Sequence, residues 1–364
     1  MTVRTDHVGS LLRPPELLAA RAEEAIDPAA FKRIEDTAVR EVVALQEQAG
    51  MAVITDGELR RESFQSELTA AVDGVQGAGI DAWLWGDWYS EEVGDRFLER
   101  PAALAVTERL HRRRMLASEE FTFLRSCTSR IAKVTLPSPT LFANLWDPER
   151  STAAYPRFDD FMADVVDLLV DEVRELARLG CEYVQLDAPH YPLLIDPVWR
   201  RFYEERGWTL ERWLSYGVEL DNVVIDAAPG VTFGFHLCRG NQGSRWLVAG
   251  AYDAIAAPIF GQIRAQRLLL EYDDERSGSF DALAGVPADK IIVLGLVSTK
   301  TPRLETVEAL EARIAQAARI TGLERLALST QCGFATSVVG NAIAVEDERR
   351  KLELVATTAL RVWG

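Results

Sequence analysis

The sequence predicts an α/β protein built as one (β/α)8 barrel of the TIM type. Short runs of aliphatic and β-branched residues alternate with long amphipathic stretches, a pattern typical of a parallel sheet covered by helices. Eight such runs occur, and eight is the strand number of this barrel. The chain has 364 residues, of which 48% are hydrophobic, so it can enclose a large core. We therefore expect a single domain over residues 1–364.

The predicted strands are short, and most of them end next to polar residues. In chain order they are Val3–His7, Ala52–Thr55, Ile131–Thr135, Glu182–Asp187, Val231–His236, Arg267–Glu271, Ile291–Val297 and Arg325–Thr330. Aliphatic and β-branched residues favour the extended backbone of a strand that is buried on both faces.

Five stretches have apolar residues three and four positions apart, the spacing of a helix that packs one face on a core. They are Phe31–Ala49, Phe158–Leu179, Thr209–Ala227, Leu304–Ile320 and Ala342–Arg361. Gly50, Gly180 and Gly322 lie at the ends of three of these stretches. Glycine adopts the left-handed backbone that often ends a helix, so these positions support the predicted boundaries.

Residues 61–128 are too many for an ordinary connection between strands. We predict that they form a long insertion after the second strand, at the end of the barrel that carries the active site. The aromatic cluster Trp83-Leu84-Trp85-Gly86-Asp87-Trp88-Tyr89 predicts a hairpin followed by helical turns.

Composition disfavours several kinds of partner. The formal charge of −16 argues against nucleic acid and against an anionic membrane surface, because both are bound through excess Lys and Arg. The sequence lacks an uninterrupted apolar run of about 18 residues, and its first residues lack the pattern of a secretion signal. We therefore expect a cytoplasmic protein without membrane contact, and we leave a homo-oligomer open.

Three predicted strand ends carry ligands suited to a metal ion. His236 and Cys238 lie two positions apart at the end of the fifth strand, Glu271 ends the sixth, and Cys332 follows the eighth. The carboxyl ends of barrel strands meet at one rim, so these groups would converge there. An imidazole, two thiolates and a carboxylate form a complete ligand set for tetrahedral Zn²⁺. Each residue alone would more often be an ordinary buried side chain, so the prediction depends on the set.

The charge of this ligand set indicates its chemistry. Two thiolates and one carboxylate around a divalent ion give a net charge of −1, which suits an incoming thiol better than it suits formation of hydroxide. The sequence therefore predicts alkylation of a thiol held as a thiolate. Cys127 and Cys181 have no reactive neighbours in the sequence, and we interpret both as structural.

Two acidic residues follow other predicted strands. Glu58 comes after the second strand and Asp187 ends the fourth. Two carboxylates facing one cavity suggest capture of a substrate ammonium group, although Asp187 could instead cap the next helix and Glu58 could lie in a solvated loop.

Further strand ends carry His7, His190 and Lys300. We assign His7 to substrate binding. Lys300 or His190 is our candidate for stabilising or protonating the departing group of the reaction.

Together these segments resemble the catalytic C-terminal barrel of the cobalamin-independent methionine synthases, over nearly the whole chain. The matching segments are His7-Val8-Gly9-Ser10, Thr55-Asp56-Gly57-Glu58, Gln185-Leu186-Asp187-Ala188-Pro189, His236-Leu237-Cys238-Arg239-Gly240-Asn241, Leu270-Glu271, Lys300-Thr301-Pro302-Arg303 and Gln331-Cys332-Gly333.

The resemblance implies a role for each matching residue. His236, Cys238, Glu271 and Cys332 would bind zinc. Glu58 and Asp187 would hold the amino group of homocysteine, and Ser10 would contact its carboxylate. The implied reaction is methyl transfer to homocysteine, which gives methionine.

This sequence departs from the family pattern at three positions. Lys300 stands where the long enzymes place a histidine before Ser-Pro, Ala188 replaces a glutamate, and Gln331 replaces an aspartate. The N-terminal barrel that helps the long enzymes bind folate has no counterpart upstream of the matching part. We therefore expect a short stand-alone member that uses an unidentified alkyl donor.

Other functions fit the same sequence pattern. An epoxyalkane:coenzyme M transferase would add a zinc-activated thiol to an epoxide and would use Arg4, Arg13 or Arg239 to hold a sulfonate. A non-catalytic barrel that binds zinc or a thiol is a second alternative. A uroporphyrinogen decarboxylase-like barrel would share the architecture without needing the zinc ligands.

Overall fold

The computed structural model describes residues 3–23, 25–77, 88–90, 104–205 and 207–364. The described strands are β1 (Val53–Ile54), β2 (Val72–Gly77), β3 (Leu104–Arg112), β4 (Ile131–Pro137), β5 (Tyr183–Asp187), β6 (Thr232–Leu237), β7 (Arg267–Glu271), β8 (Ile291–Val297) and β9 (Leu326–Thr330). Seven of them form one parallel sheet in the order β1-β4-β5-β6-β7-β8-β9, and β2 pairs with β3 in a separate antiparallel sheet.

Helices connect the strands of the parallel sheet. They are α1 (Pro15–Ala22), α2 (Pro28–Gln48), α3 (Ser66–Ala71), α4 (Ser118–Cys127), α5 (Phe158–Arg178), α6 (His190–Leu193), α7 (Pro197–Glu204), α8 (Leu210–Arg212), α9 (Val218–Asp226), α10 (Asp253–Gln262), α11 (Val307–Thr321) and α12 (Val345–Trp363). A π-helical turn, Trp213–Gly217, joins α8 to α9. Within the described ranges, no helix combines the length and apolar character needed to cross a membrane.

The predicted α/β, TIM-barrel-like fold is confirmed, and seven of the eight predicted strands lie within two residues of their predicted ends. The predicted helix at Phe158–Leu179 matches α5 within one residue, and the one at Leu304–Ile320 matches α11 within three. The agreement follows from the buried aliphatic character of these strands, as in β8, where six of seven residues are buried.

The prediction of a full first strand at Val3–His7 is wrong. This segment makes only one isolated parallel bridge, from Thr5 to Leu328 on β9. On its other side, Thr5 accepts a hydrogen bond from Ala52 N through its side-chain hydroxyl, at 3.2 Å. Because the hydroxyl and not the backbone makes this contact, no ladder forms between the segment and β1.

The predicted insertion contains α3, the antiparallel pair β2–β3 and α4. Glu172 on α5 holds the residues that lead into α4. Its buried carboxylate accepts hydrogen bonds from Leu116 N (2.6 Å) and Ala117 N (2.9 Å). Trp83 to Asp87 of the aromatic cluster lie outside the described residues. Tyr89, which is described, forms an antiparallel bridge with Trp246 in the connection that follows β6.

Strand register brings the reactive residues to one edge of the parallel sheet. Asp187 at the end of β5 is the register partner of His236 on β6, and Leu237 is the partner of Leu270, directly before Glu271. Thr330 ends β9, two residues before Cys332. The carboxyl ends of four strands therefore surround one site.

Candidate metal centre

Three of the four predicted metal ligands converge. His236 and Cys238 come from the end of β6, and Cys332 comes from the loop after β9. One ligand atom from each residue lies within 4.8 Å of the other two. All three side chains are buried. Among the described residues, this is the group of His, Cys, Asp and Glu side chains that could hold a metal ion.

The His236 ring is held in one orientation by a neighbouring strand. Its Nδ1 donates a hydrogen bond to Asp187 Oδ1 at 2.8 Å. Its Nε2 is buried and has no hydrogen-bond partner in the described part of the chain. A carboxylate that holds the far nitrogen of a histidine is the usual support of a metal-ligating imidazole. Nε2 is therefore the nitrogen that remains for a ligand.

A hydrogen bond joins the two thiols. Cys332 donates to Cys238, and this hydrogen bond lowers the pKa of Cys238 while it raises the pKa of Cys332. Burial would lower the pKa of His236, but the neighbouring Cys238 charge and the hydrogen bond to Asp187 raise it to about 10. These shifts favour a thiolate at Cys238, and a divalent cation that binds here would replace the proton on His236 Nε2 and leave the ring neutral.

The three donors fit zinc. Tetrahedral zinc has bonds of about 2.0–2.1 Å to nitrogen and about 2.3 Å to sulfur, so its ligand atoms lie about 3.5–4 Å apart. The ligand atoms lie within 4.8 Å of one another in this structure. Side-chain movements of less than about 1 Å would therefore bring them to the distances of a zinc site. The unpartnered His236 Nε2 and the two sulfurs also match the nitrogen and sulfur ligands that zinc prefers.

Glu271, the fourth predicted ligand, is not part of this group. Its Oε2 accepts from Arg239 N at 2.5 Å, and its Oε1 accepts from Lys300 Nζ at 3.1 Å and from Arg276 at 3.3 Å. Burial would raise the pKa of Glu271, but the Lys300, Arg239 and Arg276 charges lower it to about 2. The carboxylate is therefore ionised beside the centre, and its role as a ligand stays a prediction.

Comparison with known proteins decides the family. Residues 5–349 match the family described as cobalamin-independent synthase, catalytic domain. The chain belongs to the cobalamin-independent methionine synthase family. This result confirms the resemblance found in the sequence.

Individual relatives agree with that assignment. The chain is 31% identical to the uncharacterized protein YxjH of Bacillus subtilis, over 99% of this chain and 94% of YxjH. It is 26% identical to the methionine synthase of Pyrococcus abyssi, over 91% of this chain and 86% of that one. A crystal structure from Listeria monocytogenes, provisionally described as a vitamin-B12 independent methionine synthase, superposes with a TM-score of 0.74. It is 26% identical and covers 99% of this chain and 97% of its own.

Glu58 and Asp187, the two acids predicted to bind an ammonium group, both lie near the candidate metal centre. Glu58 has a left-handed backbone (φ 56°) and is buried. Its Oε1 accepts from Thr135 Oγ1 at 2.7 Å, and its Oε2 has no partner among the described residues. Burial and the Asp187 charge raise the pKa of Glu58, although the Arg61 charge opposes them. The two carboxylates are thus close enough to interact electrostatically.

Ser10 lies against the loop that carries Cys332. A Cβ placed on Gly333 would come within 1.9 Å of Ser10 Oγ, so only glycine allows this approach. Phe334 N also donates to Ser10 O at 2.8 Å. These contacts bring the predicted carboxylate-binding serine next to a candidate metal ligand.

The other three predicted residues are held by neighbouring side chains. His7 Nε2 donates to Gln46 Oε1 at 2.9 Å, and burial and the Lys133 charge lower the pKa of His7 to about 4. His190 Nε2 is bonded to Thr140 Oγ1 at 2.8 Å, and burial lowers its pKa to about 3.

Lys300 Nζ lies 3.1 Å from both Glu271 Oε1 and Asp273 Oδ2. Burial would lower its pKa, but these two acids raise it. At neutral pH, Lys300 is therefore charged while His7 and His190 are neutral.

Sequence reasoning missed the polar side chains beneath the centre. Lys133 and Thr135 alternate on β4, and Gln185 precedes Asp187 by two positions on β5. Side chains two positions apart in a strand point to the same face, so these residues share the face of Asp187. Lone polar residues within otherwise aliphatic strands were the available signal, since a buried polar group needs a partner.

Proposed function

We propose that this chain is a zinc-dependent S-methyltransferase that transfers a methyl group to homocysteine and forms methionine. The observation that carries the proposal is the convergence of His236, Cys238 and Cys332 beside the carboxylates of Glu58 and Asp187. Membership of the methionine synthase family supports the same class of reaction.

His236 Nε2 and the sulfurs of Cys238 and Cys332 would hold the zinc ion, with Glu271 as the fourth protein ligand. When bound, zinc would lower the pKa of an incoming thiol and keep its sulfur nucleophilic at neutral pH. Asp187 orients the His236 ring through its hydrogen bond to Nδ1, which would leave Nε2 for the ion.

Neighbouring side chains would position homocysteine. Glu58 Oε2, which is buried without a partner in the described residues, is suited to accept a hydrogen bond from the substrate ammonium group. Asp187 would accept a second one, and Ser10 would contact the substrate carboxylate. His7, neutral and buried, would complete the wall of this subsite.

The transfer itself forms one bond and breaks one bond. The thiol proton is lost to solvent, the sulfur forms a bond to the methyl carbon, and the bond between that carbon and the donor breaks with its electron pair staying on the donor. Lys300 is the better candidate for stabilising the departing group, because it is charged. His190 would be neutral, since burial lowers its pKa to about 3, and it could not supply a proton at pH 7.

The arginines that an epoxyalkane:coenzyme M transferase would need are engaged elsewhere. Arg13 donates to main-chain carbonyls of Glu58, Arg61 and Ala335. Arg239 donates to the carbonyls of Gly250 and Glu271. These contacts favour homocysteine over a sulfonated thiol.

Metal analysis and an activity matrix test the proposal on the same samples. Zinc content is measured in the wild type and in Cys332→Ser, and each protein is assayed with homocysteine and coenzyme M against a methylfolate, a sulfonium compound, a methyl corrinoid and an epoxide. We expect wild type to bind zinc and to methylate homocysteine, and Cys332→Ser to lose both. Cys181→Ser, which changes another buried cysteine, is the matched control and should keep both.

Two outcomes would contradict the proposal. Full methyl transfer by a zinc-free Cys332→Ser protein would rule out the role of the metal. Stoichiometric zinc in the wild type without turnover of any thiol and donor would favour a non-catalytic binding protein.

A further inference from the structure

A buried lysine lies three hydrogen bonds away from the candidate metal centre. The Lys133 side chain is fully buried, and its Nζ donates to Asp6 Oδ1 and Gln185 Oε1, each at 2.8 Å, and also to His7 O. Asp6 is itself held by Tyr183 OH at 2.7 Å. An ammonium group has three hydrogens and no lone pair, so all its hydrogen-bonding capacity is used.

The contact with Lys133 determines the orientation of the Gln185 side-chain amide. Because an ammonium group can only donate, the oxygen of the Gln185 amide must face Lys133 and its nitrogen must point the other way. Gln185 Nε2 accordingly donates to Asp187 Oδ1 at 2.8 Å and to Val8 O at 2.7 Å. The flipped amide would place an NH₂ group against the ammonium and an oxygen against a carboxylate.

The orientation of the Gln185 amide in turn determines which ring nitrogen of His236 carries the proton. Asp187 Oδ1 accepts from Gln185 Nε2 and from His236 Nδ1, both at 2.8 Å. An oxygen that accepts two hydrogen bonds has no free lone pair for a proton. The proton of that contact therefore belongs to His236 Nδ1, and the lone pair of the neutral ring lies on Nε2.

We propose that Lys133 and Gln185 are positioning residues that make Nε2, and not Nδ1, the metal-binding nitrogen of His236. The inference rests on the metal centre of the proposed function. Neither residue touches the centre, and both act through Asp187. Outer partners of a metal-bound histidine commonly change metal affinity by about 10- to 100-fold.

A matched pair of glutamine variants tests this role. Gln185→Met keeps the approximate volume of the side chain and removes its donor to Asp187. Gln46→Met removes another fully buried glutamine, which contacts His7 but not Asp187. Zinc affinity is measured by competition with a chromophoric chelator. We expect Gln185→Met to bind zinc about 10- to 100-fold more weakly and Gln46→Met to bind like the wild type.

Nuclear magnetic resonance gives a readout that a merely structural role would not change. The protein carries nitrogen-labelled histidine and cadmium in place of zinc, and couplings show which ring nitrogen binds the metal. The sequence has four histidines, so assignment is straightforward. We expect coupling through Nε2 of His236 in the wild type and couplings through both nitrogens in Gln185→Met.

The outcomes separate this inference from the function on which it rests. Wild-type protein that binds neither zinc nor cadmium would overturn the proposed function. Wild-type affinity and exclusive Nε2 coupling in Gln185→Met would overturn only the positioning role. If Gln185→Met does not fold, coupling through Nδ1 in the wild type still contradicts the inference, because the chain of hydrogen bonds requires Nε2.

Discussion

Asp187 and His236 are register partners on adjacent parallel strands, and Asp187 Oδ1 lies 2.8 Å from His236 Nδ1. None of the described hydrogen bonds uses the second oxygen, Asp187 Oδ2. One carboxylate can therefore support the metal ligand with one oxygen and face the substrate with the other. This division connects metal binding to substrate binding through a single residue.

Two substitutions of Asp187 should separate its two roles. Asp187→Asn keeps an oxygen for His236 but presents an NH₂ group toward the substrate ammonium, so we expect the KM for homocysteine to rise at least about tenfold with zinc retained. Asp187→Ala removes both oxygens, and we expect zinc affinity to fall about 10- to 100-fold as well. Steady-state kinetics and chelator competition measure the two effects. Equal zinc loss in both variants would show that the oxygen contact to His236 is unimportant.

Thr135 orients Glu58. Arg61, which is paired with Glu120 on α4, donates to Thr135 Oγ1 at 3.0 Å, so the hydroxyl proton must point to Glu58 Oε1. Thr135→Val removes a hydrogen bond to a charged group, worth about 1.5–3 kcal/mol. We expect the KM for homocysteine to rise about tenfold or more while zinc content stays unchanged.

The same substitution should change the pH profile. Glu58 must be ionised to bind an ammonium group, and burial already raises its pKa. Loss of the Thr135 hydroxyl raises it further, so the acidic limb of kcat/KM moves to higher pH. Thr358→Val is the control, because Thr358 Oγ1 is buried without a partner in the described structure. An identical acidic limb in Thr135→Val and wild type would exclude the proposed contact.

Glu348 should make the fold less stable as pH rises. Burial raises the pKa of Glu348 to about 8, from 4.5 in the unfolded chain, although Leu12 N donates to its carboxylate at 2.8 Å. Between these pH values the folded state holds a proton that the unfolded state has lost, so stability falls by up to about 1.4 kcal/mol per pH unit.

Glu348→Gln removes this titration and keeps an acceptor for Leu12. We expect the variant to gain stability relative to wild type as pH rises from 5 to 8, by roughly a few kcal/mol at the upper end. Urea unfolding at a series of pH values measures the difference. A difference between the two proteins that does not change with pH would contradict this account of Glu348.

Much of the barrel could be predicted because each strand has its own sequence signal. The runs at β7 and β8 consist mainly of aliphatic residues, and their predicted bounds match the structure. The segment at Val3–His7 makes only one isolated bridge, to Leu328 on β9, and the neighbouring β1 is only two residues long. Pairing of this kind is set by tertiary context, which sequence patterns do not contain.

The site likewise contains residues whose positions the sequence predicts and contacts that depend on tertiary packing. His236, Cys238 and Cys332 could be predicted to converge, because strand ends of a barrel share one rim. The partners of Glu271 could not be predicted, since Arg276 reaches it from a separate 3₁₀ turn. The orienting contacts of Lys133 and Thr135 likewise require the register of β4 against β5 and the position of the insertion.

X-ray absorption at the zinc edge of the purified protein tests the central claim most directly. The account predicts a mixed shell with two sulfur atoms at about 2.3 Å and nitrogen or oxygen at about 2.0–2.2 Å in the wild type, and no bound zinc in Cys332→Ser. A shell of nitrogen and oxygen alone, or an unchanged sulfur count in that variant, would contradict a centre built from His236, Cys238 and Cys332.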